Sequence, residues 1–81
     1  MHELLIHFTS SMRRRELIKL IRGRAKFCNV TFSFHREGAN HTIYTLGNSY
    51  IKIGRHAPLK PGDGRATLQE TEKELGEKWW Q

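Results

Sequence analysis

Only one cysteine, Cys28, occurs in this 81-residue chain. No intramolecular disulfide can form, and a four-sulfur zinc site is excluded. That usage suits a reducing cytoplasm, with Cys28 as a small buried hydrophobe. No stretch approaches the roughly 20 apolar residues of a membrane-spanning helix. The apolar patch of Leu4, Leu5, Ile6 and Phe8 is too short for a secretory signal and follows no basic segment. Neither a glycine-rich phosphate loop ahead of a lysine nor a nucleophile elbow around a serine occurs, which removes the common nucleotide-binding and serine-hydrolase patterns. The two prolines, Pro58 and Pro61, fall in one short segment, so the rest of the chain is free to form regular structure.

Acidic residues are also scarce. Asp and Glu total 8 against 14 Lys and Arg, for a net charge of +6. The excess is concentrated early, in Arg13, Arg14, Arg15, Lys19, Arg22, Arg24, Lys26 and Arg36, while Glu70, Glu72, Glu74 and Glu77 make the tail mildly acidic. A basic body favours a polyanionic or acidic partner over a neutral metabolite, although charge alone does not separate such a partner from an ordinary basic surface.

What is present is periodicity. Leu17, Ile18 and Ile21 form one apolar stripe and predict a helix over 13–22, with Gly23 as its stop. From Phe27 the period changes to two: Val30, Phe32 and Phe34 alternate with Thr31, Ser33 and His35. Gly38-Ala39-Asn40 reads as a turn or bulge. A second strand follows at 42–46, then a Gly47-Asn48 hairpin connection and a third strand at 50–53. The last helix is expected from Asp63 as N-cap to about Gly76, with Leu68, Thr71 and Leu75 as a thin apolar face. Trp79 is expected to fold back onto the sheet as core, the other reading being a base-stacking or partner-anchoring aromatic. The sum is one α+β domain of two layers: helix, three-stranded antiparallel sheet, helix, with both helices on one face. That order is the one found in double-stranded RNA-binding domains.

Five histidines, His2, His7, His35, His41 and His56, fit no standard metal-ligand spacing, so no metal or other cofactor is expected. His41 stands apart because it opens a strand directly after a flexible corner, where an imidazole can be aimed out of the sheet. Its plain reading is an exposed or capping residue. Its chemical reading is metal-free RNA cleavage, which needs a base for the 2′-hydroxyl proton, a donor for the leaving 5′-oxygen, and cations at the phosphate. Histidine suits either proton role. Arg36, Arg55 and Lys60 are the candidate phosphate cations. The run Arg13-Arg14-Arg15 is either a solvated helix start or a further phosphate-contacting patch, since cations oppose the dipole at a helix N-terminus.

Met12-Arg13-Arg14-Arg15-Glu16-Leu17-Ile18-Lys19-Leu20-Ile21 looks like the opening helix of HicA-type toxins. Phe34-His35-Arg36-Glu37-Gly38-Ala39-Asn40-His41 resembles their arginine, glycine and histidine motif. Ile53-Gly54-Arg55-His56 followed by Leu59-Lys60-Pro61-Gly62, with Arg65 beyond, resembles their third strand and the loop into the last helix. The resemblance makes residues 12–81 a HicA-like toxin domain and 1–11 an N-terminal extension. It implies an RNA-binding α-β-β-β-α fold, endoribonuclease activity toward mRNA with His41 as the essential residue, and neutralisation by a HicB-type antitoxin. The sequence departs from the family pattern at Gly54, where a proline is common. It departs again at Asp63-Gly64, where a threonine and a small apolar residue are usual, and at Thr67, where an aliphatic residue is common. A non-catalytic RNA-binding module of the same fold is the alternative.

Overall fold

The computed structural model describes residues 13–55 and 61–81. The element order is α1 (Arg14–Phe27), β1 (Phe32–Glu37), β2 (His41–Leu46), β3 (Ser49–Gly54) and α2 (Pro61–Leu75). The strands form one antiparallel sheet in the order β1-β2-β3, and both helices lie against one of its faces. The expected α+β architecture is therefore present. No helix among the described residues is long and apolar enough to cross a membrane.

Helix α1 buries Leu17, Ile18, Ile21 and Ala25, a stripe at helical spacing. Its first turn is closed by Glu16, whose carboxylate accepts the Arg13 backbone N–H at 3.0 Å. The helix does not stop at Gly23, as the sequence predicts. Gly23 sits on the exposed side, where an added Cβ would touch nothing, and burial of Ala25 carries the helix one turn further. The stop is Asn29, held at φ 61. The Asn29 N–H bonds Lys26 O at 3.1 Å and the Val30 N–H bonds Ala25 O at 2.8 Å, the paired bonds of a Schellman ending in which asparagine replaces the usual glycine.

Strand parity sorts the sheet. Thr42, Tyr44, Leu46, Ile51 and Ile53 face the helices, and most of them join Leu17, Ile21, Leu68 and Leu75 in the core. His41, Ile43, Thr45, Tyr50 and Lys52 fall on the open face. The hairpin turns at Gly47-Asn48 with Gly47 at φ +60. In β1 the register slips between Phe34 and Arg36, so that Phe34 pairs with Tyr44 but Arg36 pairs with Ile43. The bulge thus lies at His35, upstream of the expected corner. It places Arg36 on the open face and Glu37, opposite Thr42, on the helix side.

Helix α2 begins at Pro61, two residues before the expected Asp63 cap, and proline is well suited to a first helical turn. Asp63 therefore lies inside that turn. The helix ends at Gly76, at φ +107. Beyond it the chain folds back on α2 rather than onto the sheet, and Trp80, not Trp79, is the indole that enters the core, at 3% exposure. Trp79 stays half-buried and donates its indole N–H to Thr71 at 2.7 Å, while Trp80 donates to Glu72 at 2.8 Å. Arg24 of α1 reaches across to the Leu75 carbonyl through two bonds of 3.2 Å, capping α2 and tying the helices together. Cys28 is half-buried against the same core.

Candidate functional site

The corner between β1 and β2 is built from its backbone outward. The Gly38 N–H bonds the His41 carbonyl at 2.7 Å, and a Cβ at Gly38 would approach that oxygen to 3.2 Å, which is why a residue without a side chain sits there. The guanidinium of Arg55, from the end of β3, enters the corner. It donates to the carbonyls of Gly38 at 2.9 Å and His41 at 2.8 Å, to that of Ala39, and to the Glu37 carboxylate at 2.7 Å. Nη1 meets Glu37, Gly38 and His41 while Nη2 meets Ala39, so both arms of the planar fork are used.

Beneath the corner the network continues inward. Thr42, only 1% exposed, donates its hydroxyl to Glu37 at 3.0 Å and accepts Arg14 Nη2 at 2.8 Å. The start of α1, both sides of the corner and the end of β3 are thereby joined through Arg14, Thr42, Glu37 and Arg55. These two arginines are therefore engaged in holding the corner. The Arg14 Nε is buried without a hydrogen-bond partner among the described residues.

His41 emerges from this framework exposed, on the open face of the sheet, and opposite Gly54 in the β2–β3 register. Glycine at that cross-strand position leaves the space beside the imidazole unfilled. The next row of the same face is Arg36, Ile43 and Lys52, with the two cations flanking the isoleucine. It lies about 7 Å from His41 by strand rise. One row further are Ser33, Thr45 and Tyr50, with the His35 ring 5.0 Å from that of Tyr50. A pocket of about 200 Å3 opens between this face and the flank of α2, lined by His41, Lys52, Gly54, Asp63, Ala66, Thr67 and Glu70. Among the described residues, the side chains of His41, Lys52, Asp63 and Glu70 make no hydrogen bond or ion pair. No three His, Cys, Asp or Glu side chains among them are grouped as metal ligands.

The predicted cations thus separate. Arg36 shares the face of His41. Arg55 and Arg14 are occupied under the corner. Arg13 is the exposed N-cap of α1, and Arg15 lies with Lys19 and Arg22 along a groove on that helix, in the layer on the far side of the sheet from His41. Lys60 and His56 lie outside the described residues. Lys52, Asp63 and Glu70 were missed by sequence reasoning, although the two-residue Gly47-Asn48 turn fixes the register that puts Lys52 opposite Ile43 and Gly54 opposite His41. Comparison of the chain with protein-family models, with curated proteins and with solved structures finds no significant match.

The clamp predicts a stability effect. Arg55→Ala takes the Arg55 donor from the carbonyls of Gly38 and Ala39, while the His41 carbonyl keeps the Gly38 N–H and Glu37 keeps the Thr42 hydroxyl, and the 37% exposure of the side chain lets water replace part of the loss. The expected cost is about 1–2 kcal/mol, read as a lower urea midpoint, with faster amide exchange at Gly38. Arg55→Lys should recover little of it. Coincident unfolding curves for Arg55→Ala and the unaltered protein would show that the corner stands without the clamp.

Proposed function

We propose that this protein is a HicA-type toxin, a cytoplasmic endoribonuclease that cleaves mRNA without a metal ion and is neutralised by a HicB-type antitoxin. The observation that carries the reading is the placement of His41: an imidazole with no partner among the described residues, open to solvent opposite a glycine, on a clamped corner and one row from Arg36 and Lys52. The imidazole supplies proton transfer at the 2′-hydroxyl or at the leaving 5′-oxygen, and the two cations hold the phosphate whose charge rises in the transition state. The ordered likeness of the opening helix, the glycine–histidine corner and the third strand to HicA-type sequences supports the same conclusion. An antitoxin that covers the open face would shut the site by occlusion alone.

Cleavage of an mRNA by the purified protein in excess chelator tests the reading. The expected products carry 2′,3′-cyclic phosphate and 5′-hydroxyl ends, and the reaction weakens as salt rises, because contacts to phosphate release counterions. Intact RNA under these conditions, with salt-dependent binding retained, would instead favour the non-catalytic RNA-binding module.

A further inference from the structure

The geometry points to Asp63 as the second proton-handling group of the site, the base that works opposite His41. This rests on the endoribonuclease reading and goes beyond it by completing the acid–base pair.

Three observations lead there. The pocket beside His41 lies along the β3 edge, where the sheet passes the flank of α2, and its helix wall carries two carboxylates, Asp63 and Glu70. Neither carboxylate is bonded to another described residue, and neither is His41 or Lys52, so four ionisable groups face one cleft with no described residue engaging them. Ser49 bonds Glu74 at 2.7 Å, which pins the end of α2 to the start of β3, so the two elements run antiparallel. From that anchor, helical rise carries Asp63 about 16 Å along α2. Strand rise carries Gly54, the cross-strand partner of His41, about 17 Å along β3. Asp63 is therefore level with His41, whereas Glu70, about 6 Å from the anchor, falls short of Lys52, about 10 Å from it.

Each group then has a distinct task. The Asp63 carboxylate takes the proton from the 2′-hydroxyl. The 2′-oxygen forms its bond to phosphorus while the bond from phosphorus to the 5′-oxygen breaks. The His41 imidazolium gives its proton to that leaving oxygen, and Lys52 faces the non-bridging oxygens. The products are a 2′,3′-cyclic phosphate and a 5′-hydroxyl. Exchange with water returns both catalytic groups to their starting protonation states. Among the described residues, the charged groups near His41 are Lys52 from β3, Asp63 and Glu70 from α2, and Arg36 from β1 one row away.

Single-turnover cleavage of an RNA oligonucleotide in chelator, followed against pH, tests the assignment with the unaltered protein, Asp63→Asn, Asp63→Glu, Glu70→Gln and His41→Ala. Asp63→Asn should slow cleavage at neutral pH by about 10²-fold or more and remove the fall of rate on the acidic side. Asp63→Glu should keep that fall and recover part of the rate. Asp63 is exposed, so unfolding curves should match across the set. The assignment is overturned, with the endoribonuclease reading intact, if the unaltered protein cleaves, His41→Ala does not, and Asp63→Asn stays within about threefold with an unchanged profile. It is overturned equally if Glu70→Gln rather than Asp63→Asn removes the acidic fall. No cleavage by the unaltered protein at any pH would sink the endoribonuclease reading itself, and the assignment with it.

Discussion

His41→Ala should abolish RNA cleavage while leaving the fold and the affinity for RNA close to those of the unaltered protein. Loss of a positioned acid or base costs about 10²–10⁴ in rate. The structural cost should be small, because the side chain is exposed, has no partner among the described residues and leaves no cavity behind. What the corner takes from this residue is its backbone carbonyl, which accepts from Gly38 and Arg55, and alanine supplies the same carbonyl. The stability change should therefore stay within about 0.5 kcal/mol. Arg36 and Lys52 remain on the face and would keep the phosphate contacts proposed for them. Cleavage time courses, urea unfolding and RNA titration on the same preparations separate these quantities. A His41→Ala protein that cleaves at the normal rate would remove the imidazole from the chemistry.

The largest stability effect is expected far from His41, at Trp80. Trp80→Ala removes an indole that is 3% exposed in the core, bonded through its N–H to Glu72 and lying under the Arg65 guanidinium at 5.7 Å. Truncations of this kind cost about 3–5 kcal/mol. A domain of this length has a total stability of only about 4–12 kcal/mol. Trp80→Ala should therefore lower the melting temperature by more than about 10 °C and leave some preparations partly unfolded at physiological temperature. Trp79→Ala should cost clearly less, since Trp79 is only half-buried and the Thr71 hydroxyl, although it loses the indole donor, keeps its own bond to the Leu68 carbonyl at 2.6 Å. Calorimetric melts of the two variants side by side decide the order. If Trp79→Ala proved the more damaging, the assignment of Trp80 as the closing core residue would be wrong.

The fold was legible where local period governs it. The stripe of Leu17, Ile18 and Ile21 and the alternation through Thr42–Leu46 and Tyr50–Ile53 each give an element its type and its buried face, and hairpin connections give the strand order. Features that depend on partners distant in the chain were not legible. The bulge at His35 exists only relative to the pairing of β1 with β2, and it alone decides which side Arg36 occupies. Helix α1 outlives Gly23 because packing in the next turn outweighs a local glycine cost of about 1 kcal/mol.

The candidate site divides in the same way. His41 was found because the corner that aims it is adjacent in sequence. The sequence offers Arg55 as a phosphate cation, whereas the fold spends it on carbonyls about 16 residues away in the chain. Arg14 is similar, engaged with Thr42 28 residues away. A charge count cannot tell an arginine that holds the backbone from one that awaits a ligand. Asp63 reads locally as a helix cap, and only the antiparallel run of α2 beside β3 brings it level with His41.

The central claim is that this fold exists to cut RNA through His41. Its most direct test is growth after induced expression of the unaltered protein and of His41→Ala, with RNA ends mapped from the same cultures. The account predicts arrest and new 5′-hydroxyl ends with the unaltered protein only, relieved by co-expression of a HicB-type antitoxin. Equal growth and intact RNA in both cultures, with both proteins soluble, would contradict it.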